Sequence, residues 1–262
     1  MCLGLAVFLV MAVDPRITVD AIIQNSVEAN ERDWKAAPQY AYFETIRNGR
    51  GSKTNQVIMI GGSPYERLVK VNGRVLSLDE QEVEQKKLDR AMAERRFQTD
   101  RAAAKRVADY ERDRQRDHIM IQQLTKAFDF KLIGEERLRG RNVYALRATP
   151  RPGYVPPTTE ARVLLGMKGE LWIDQQSFQW VKVLAQVVSP VNIAGFLATV
   201  QPGTYFELEK KPVDGEIWLP AHFTVSSRSK VLKVFRHQTD EDDTFFNYQR
   251  TGDSARVSSA KP

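Results

Sequence analysis

Residues 169–188 are the stretch that most constrains the fold of this chain. Gly169-Glu-Leu-Trp-Ile-Asp174 contains consecutive β-formers, and the next residues have the composition of a tight turn. A second strand follows, and alternation divides its apolar residues between two faces: Val181, Val183, Ala185 and Val187 on one, and Trp180, Leu184 and Val188 on the other. A hairpin with one wet face would alternate apolar and polar residues. We therefore predict that both faces meet apolar material, helices on one side and a core or an oily ligand on the other.

The hairpin pattern recurs along most of the 262 residues. Turn sequences such as Gly61-Gly62-Ser63-Pro64 and Asn72-Gly73 separate the early strands. Further strands are predicted at 129–138, 142–149, 204–211, 216–228, 231–236 and 244–249. The predicted fold is α+β and mainly β: a single antiparallel meander of about ten strands that curls into an open, incomplete barrel. Residues 13–250 are predicted to form this one domain.

Two helical segments accompany the strands. Asp14-Pro15 predicts the start of an N-terminal helix, which ends before Pro38. Ser77 and Glu80 form a capping box at the start of a long charged insertion, residues 78–127, with a break near Thr99-Asp100. Its predicted docking residues lie near its end: Ile119, Met120, Ile121 and Leu124. Two interpretations remain open, a partner-binding arm over residues 79–118 and a salt-bridged surface helix; the absence of a heptad register favours the second.

The ends of the chain have their own composition. Residues 1–12 form an apolar run with the length of a signal-peptide core, and small residues near Ala12 suit cleavage there. The alternative is a buried first strand. Cys2, the single cysteine, lies inside this run, so a mature exported chain would have no disulfide. We predict export to the periplasm and a disordered tail at residues 251–262.

The formal net charge of +6 favours anionic surfaces, including lipid headgroups. Basic residues are mixed with acidic ones and no nucleic-acid-binding motif is present, so nucleic acid is not a predicted partner.

Several of these motifs resemble the periplasmic lipoprotein-carrier superfamily with the LolA/LolB-like fold, which includes the sensor domain of RseB-type regulators. The residues that carry the resemblance are Gly169-Glu-Leu-Trp-Ile-Asp174, Gly215-Glu-Ile-Trp-Leu-Pro220 and Phe245-Phe-Asn-Tyr248. The resemblance implies an incomplete β-barrel covered by helices, with an apolar cavity for acyl chains. The long insertion departs from the best-studied carriers.

Catalytic motifs are missing from the sequence. The three histidines do not have metal-ligand spacing. His118 is predicted to be solvated, His222 to lie on the surface, and the acids Asp240, Glu241, Asp242 and Asp243 to form a solvated turn. We predict no enzyme activity, no cofactor and no metal.

The strand-borne apolar residues are the remaining signal. The predicted lining of a hydrophobic cavity is Trp172, Trp180, Leu184, Phe206, Trp218, Phe223 and Phe235. The predicted function is a carrier or chaperone for acyl chains of lipids or lipoproteins. The alternative is an envelope sensor with the same fold that uses the charged helix as a partner arm.

Overall fold

The computed structural model describes residues 17–192, 198–231 and 235–251 of the chain. The α-helices are α1 (Val19–Ala36), α2 (Leu78–Phe97) and α3 (Asp100–Ala127), and 3₁₀ helices lie at Ala37–Gln39 and Glu160–Gly166. The strands are β1 (Tyr40–Asn48), β2 (Gly51–Ile60), β3 (Ser63–Val71), β4 (Arg74–Val75), β5 (Phe128–Leu138), β6 (Arg141–Pro150), β7 (Met167–Asp174), β8 (Trp180–Val187), β9 (Val191–Asn192), β10 (Ala198–Val200), β11 (Tyr205–Asp214), β12 (Ile217–Val231) and β13 (Phe235–Arg250).

All these strands belong to one antiparallel sheet. Its main path has the order β4-β3-β2-β1-β13-β12-β11-β8-β7-β6-β5, and β9 and β10 pair beside it. The last strand therefore joins the first, and β4 and β5 are the two free edges. Because the edges do not pair with each other, the sheet stays open. The predicted α+β class and open meander are confirmed.

The helices α2 and α3 connect the two free edges. They follow β4 in the chain, and α3 continues into β5 at Ala127–Phe128 without a loop. The predicted break in the insertion is confirmed, since α2 ends at Phe97 and Thr99 caps α3 through its side-chain oxygen. In the part of the chain that the structure describes, no helix is long and apolar enough to cross a membrane.

The sheet has a core face and an outer face. The core face carries the main apolar cluster, which includes Leu146, Leu171 and Ile173 and is covered by α1, the end of α3 and the second 3₁₀ helix. The outer face carries ion pairs between neighbouring strands, among them Arg147–Glu170 at 3.0 Å and Lys182–Glu207 at 2.5 Å. The hairpin at 169–188 thus has a partly wet face, which corrects the prediction that both of its faces are fully apolar.

A β-bulge explains part of this difference. Ile173 pairs with Trp180 and Trp172 pairs with Lys182, so Val181 is the extra residue in β8. The bulge places Trp180 with Val183, Ala185 and Val187 in the core cluster. Val181 joins Val143, Trp218, Leu138 and Trp172 in a second, smaller cluster. The simple alternation in the sequence therefore assigns Trp180 and Val181 to the wrong faces.

Two boundaries also differ from the sequence prediction. The helix α1 begins at Val19, because Thr18 is extended and its hydroxyl accepts a hydrogen bond from the Ala21 amide at 3.2 Å. The acids at 240–243 form part of one continuous strand, β13, and not a turn. The predicted signal peptide at 1–12 and the tail from 252 onward lie outside the described residues.

Candidate functional site

An apolar cavity of about 170 Å³ lies between the helices and the core face of β7 and β8. Its walls come from α3, the second 3₁₀ helix and four strands: Ile121, Leu124, Phe128, Ala148, Leu164, Met167, Gly169, Leu171, Trp180, Val183, Leu184 and Ala185, with Lys168 as the only charged lining residue. A dry apolar cavity of roughly 150 Å³ accommodates benzene. A cavity of this size therefore holds a short apolar segment, and a longer chain must extend out of it.

Gly169 allows the backbones of β7 and β8 to approach each other closely beside the cavity. A Cβ at this position would lie 2.6 Å from the carbonyl oxygen of Leu184 on the neighbouring strand, closer than such atoms can approach. Gly169 pairs with Ala185, so two small residues stand next to each other on the core face. The same two residues also border a groove of about 440 Å³ on the outer side of the sheet.

A row of apolar side chains leads from the cavity across the sheet. Strand register joins Leu171 to Val183, Val183 to Leu208, and Leu208 to Phe223. These residues stand on the core face of β7, β8, β11 and β12. Leu171 is buried, whereas Val183, Leu208 and Phe223 are half-buried. We call these four residues the apolar row; its three half-buried members form an apolar surface continuous with the cavity.

The helix α1 is fixed to the sheet by a buried polar network. Asp33 forms an ion pair with Lys210, and it also accepts hydrogen bonds from Gln179 Nε2 at 3.1 Å and from the Trp218 amide at 2.9 Å. Lys210 Nζ donates to Asn30 Oδ1 at 2.8 Å. Burial lowers the pKa of Lys210, and the nearby Asp33 carboxylate opposes this shift. Because each charge has its partner, the end of α1 is held firmly over the sheet.

Contacts between α3 and α1 join the helices that cover the core face. The His118 ring stacks on Trp34 with ring centroids 4.3 Å apart, and its Nε2 lies 2.5 Å from Glu31 Oε2. The Arg114 guanidinium lies 4.4 Å from the Trp34 ring centroid. Burial raises the pKa of Glu31, but its hydrogen bonds with His118 and Lys35 outweigh burial and lower it overall. His118 is fully buried, which corrects the prediction that it is solvated.

Two arginines attach the helix pair to the β2–β3 turn. Arg95 donates to the carbonyl oxygens of Ser63 and Pro64, each at 2.9 Å, and Arg106 donates to that of Gly61 at 2.9 Å. Gly61 and Gly62 both have positive φ. A Cβ on Gly62 would come within 3.1 Å of Val107 on α3. The turn therefore fits closely against the helices and fastens the insertion near the α2–α3 junction.

The structure distributes the predicted cavity residues over several places. Trp180 lines the cavity, Phe206 packs against the main cluster, and Phe223 ends the apolar row. Leu184 contributes to the cavity, but its register with Glu170 and Glu207 puts its side chain on the outer face. Trp172 and Trp218 lie in the second cluster, outside the cavity lining. The side chain of Phe235 lies outside the described residues.

Sequence patterns alone missed much of the lining. Leu164 and Met167 follow a proline-rich loop, and Phe128 and Ala148 stand on strands whose charged residues hide the apolar face. The docking residues Ile121 and Leu124 were predicted, and both line the cavity. His222 was predicted to lie on the surface; it is partly exposed on the outer face, 2.7 Å from Asp242. Among the described residues, no group of three or more His, Cys, Asp or Glu side chains could hold a metal ion.

No protein-family model matches the sequence, and no curated protein sequence matches it. Among solved structures, the chain is similar to a LolA-superfamily protein from Nitrosomonas europaea, with 10% identity, coverage of 89% of this chain and 93% of the other, and a TM-score of 0.34. A putative outer membrane lipoprotein-sorting protein domain from Vibrio parahaemolyticus gives 11% identity, coverage of 89% and 95%, and a TM-score of 0.34. The MucA/MucB complex of Pseudomonas aeruginosa gives 16% identity, coverage of 84% and 93%, and a TM-score of 0.25.

The first of these structures belongs to the superfamily that the sequence motifs resemble. At these identities and TM-scores, the similarities carry no inference about ligand or partner.

Proposed function

We propose that this protein binds acyl chains of lipids or lipid-modified proteins and carries them in the periplasm, without a catalytic step. The observation that carries the proposal is the apolar cavity: among the described residues that line it only Lys168 is charged, and its register with Gln186 puts its exposed side chain on the outer face. An acyl chain that enters the cavity gains roughly 0.8 kcal/mol for each methylene removed from water. The apolar row extends this gain beyond the enclosed volume.

The cover over the cavity is made of separate pieces, which allows a chain to enter. Ile121 and Leu124 come from α3, and Leu164 comes from the second 3₁₀ helix. Neither element shares backbone hydrogen bonds with β7 or β8 in the sheet ladder. The 3₁₀ helix stays attached at its end, where the Gly166 carbonyl oxygen accepts hydrogen bonds from the Val188 and Ser189 amides. Opening of the cavity therefore requires the side-chain contacts of Ile121, Leu124 and Leu164 to break.

A cavity-filling variant tests the proposal. Ala185→Trp places a large ring on the core face beside Gly169, and Gln186→Trp places the same ring on the outer face of the same strand. We expect the full chain to take up a fluorescent twelve-carbon fatty acid, Ala185→Trp to lose most of that uptake, and Gln186→Trp to retain it. Unfolding curves of both variants show whether each is folded.

Native mass spectrometry of gently purified protein supplies a second measurement. A co-purifying lipid supports the proposal. A protein that is empty and also takes up no acyl probe after delipidation overturns it.

The basic surface supports a role at a membrane. With a net charge of +6, the protein is expected to bind vesicles containing anionic lipid and to release them as salt concentration rises. Equal binding to neutral vesicles would contradict an electrostatic contribution.

A second candidate function is contact with an envelope protein through the 79–118 helical region. It is supported by apolar side chains exposed on α2, with Phe97 at 79% and Val83 at 51% exposure. Removal of the whole insertion would also remove Ile121 and Leu124 from the cavity, so the sharper test is Phe97→Ser. Loss of a specific cross-linked partner with acyl uptake unchanged supports this function; an unchanged cross-linking pattern argues against it.

A further inference from the structure

The apolar row ends at a group of carboxylates. Phe223 on β12 pairs with Asp243 on β13, and Asp243 pairs with Ile46 on β1. Glu44, two residues before Ile46, faces the same side diagonally from Asp243. Three strand spacings of about 4.8 Å separate Val183 from Asp243, roughly 14 Å in all. The sheet thus changes from apolar to acidic along one straight line.

These carboxylates lie mainly beside other carboxylates. Asp243 is 7% exposed, and its buried Oδ1 has no hydrogen-bond partner among the described residues. Burial, together with the charges of Asp243, Glu66 and Glu241, raises the pKa of Glu44 to about 7. Burial, together with the charges of Glu241 and Asp242, raises the pKa of Asp243 to about 6. A buried carboxylate without donors is costly, so this site favours a ligand that brings N–H groups and positive charge.

Aromatic rings stand beside the carboxylates. The Tyr42 ring centroid lies 6.0 Å from that of Phe245 and 5.2 Å from that of Tyr248. Lys211 Nζ lies 5.7 Å from the Tyr248 centroid and donates to the Phe245 carbonyl oxygen at 3.1 Å, so a cation already packs against this group of rings. Ring faces attract ammonium groups. Among the described residues, no group of three or more His, Cys, Asp or Glu side chains could hold a metal ion, so we assign this position to an organic cation.

We propose that the core face binds the ammonium group of a cationic amphiphile between Glu44 and Asp243, with the alkyl chain of the same molecule along the apolar row toward the cavity. This inference rests on the proposed acyl-chain binding and adds the charge of the preferred headgroup. The ammonium donates hydrogen bonds to the two carboxylates and neutralises them, while Tyr42 and Phe245 flank it. The chain then covers Phe223, Leu208 and Val183.

Three probes with the same twelve-carbon chain test the inference on the full-length protein: dodecylamine, dodecanol and dodecanoate, each below its micelle concentration and measured by displacement of a bound apolar dye. We expect dodecylamine to bind at least about tenfold more tightly than dodecanol, as one charge-assisted hydrogen bond at a partly buried site provides, and dodecanoate to bind most weakly. Glu44→Gln combined with Asp243→Asn should remove the preference for the amine and leave the affinity for dodecanol unchanged.

Glu207→Gln is the matched control, because Glu207 is a carboxylate on the outer face, paired with Lys182. It should keep the preference for the amine. If dodecanol binds and dodecylamine binds no more tightly, the headgroup inference is overturned while acyl-chain binding stands. If none of the three binds, both proposals fail. An amine preference that survives the double variant also overturns the inference.

Discussion

The core face of this sheet has two halves that differ in cover and charge. The sealed half, the core-face residues of β5 to β8, includes Leu146 at 0% and Leu171 at 3% exposure under α1 and α3. The open half, the core-face residues of β12, β13 and β1, has half-buried Phe223 and Phe245 beside Glu44 and Asp243. The same alternation thus builds a helix-covered core with a small apolar cavity on one side and a half-buried apolar and acidic surface on the other. The helices that cover the strands, more than the strands themselves, determine whether a part of this face is buried.

The largest effect is expected from detaching the cover of the sealed half. Asp33→Ala leaves Lys210 buried without its counter-charge, which costs about 3–5 kcal/mol of unfolding free energy. Denaturant unfolding at neutral pH measures this loss. Asp20→Ala, in the exposed first turn of the same helix, should cost less than about 1 kcal/mol. Equal losses for the two variants would show that the buried network does not hold α1.

Truncations in the two halves should differ in how much they lower stability. Leu171→Ala creates a cavity in the sealed half and should cost about 2–5 kcal/mol. Phe223→Ala removes a half-buried ring and should cost less, but it should weaken binding of acyl probes because it shortens the apolar row. Unfolding curves and dye displacement on the same preparations measure both quantities. The comparison breaks down if Phe223→Ala lowers stability as much as Leu171→Ala and leaves binding unchanged.

In the absence of ligand, the pH dependence of the unfolding free energy should depend on the carboxylates of the open half. The folded protein keeps Glu44 protonated up to a pKa of about 7, whereas the ordinary value is 4.5, so between these values the folded state binds more protons than the unfolded state. Stability therefore falls as pH rises through this window. Glu44→Gln should match the wild type near pH 4 and exceed it at pH 8 by up to about 3 kcal/mol, at 1.36 kcal/mol for each pKa unit.

The titratable groups that face Glu44 come from several elements: Glu66 on β3, Asp243 and Glu241 on β13, Lys53 on β2, and Tyr42 on its own strand next to Tyr110 of α3. Asp243, with its pKa raised to about 6, should also make the unfolding free energy fall as pH rises, by a smaller amount. Unfolding at several pH values, with Glu44→Gln and Asp243→Asn tested singly and together, resolves the two contributions. Parallel curves for variant and wild type would contradict the assignment.

The smallest effect is expected on the outer face, which contrasts with both halves. Arg147→Met removes the partner of Glu170 in a largely solvent-accessible ion pair and should change the unfolding free energy by about 0.2–1 kcal/mol. The difference should shrink further in high salt. A loss above about 2 kcal/mol would mean that this face is not simply a solvated surface.

The fold class was predictable from the sequence because repeated turn signals and strand lengths are local properties. The capping box at Ser77 and the break before Thr99 were predictable for the same reason, and the structure shows both. The pairing of the last strand with the first was beyond local information. So was the bulge at Val181, which inverts the faces of Trp180 and Val181.

The candidate site was less predictable because its residues become neighbours only through sheet register. The acids at 240–243 have the composition of a solvated turn, yet β13 divides them between two faces: Asp240 and Asp242 point outward to Ser226 and His222, while Asp243 lies on the core face. His118 looks solvated among charged neighbours, but α1 supplies Trp34 and Glu31 to bury it. Burial by a distant element leaves no local signal.

The direct passage from α3 into β5 has a mechanical consequence. Ala127 and Phe128 are both buried, and no loop between helix and strand can absorb displacement. A lift of α3 that admits a ligand must therefore pull on the first residues of the edge strand. Amide hydrogens at the start of β5, where Phe128 itself lines the cavity, should then exchange faster whenever the cavity opens.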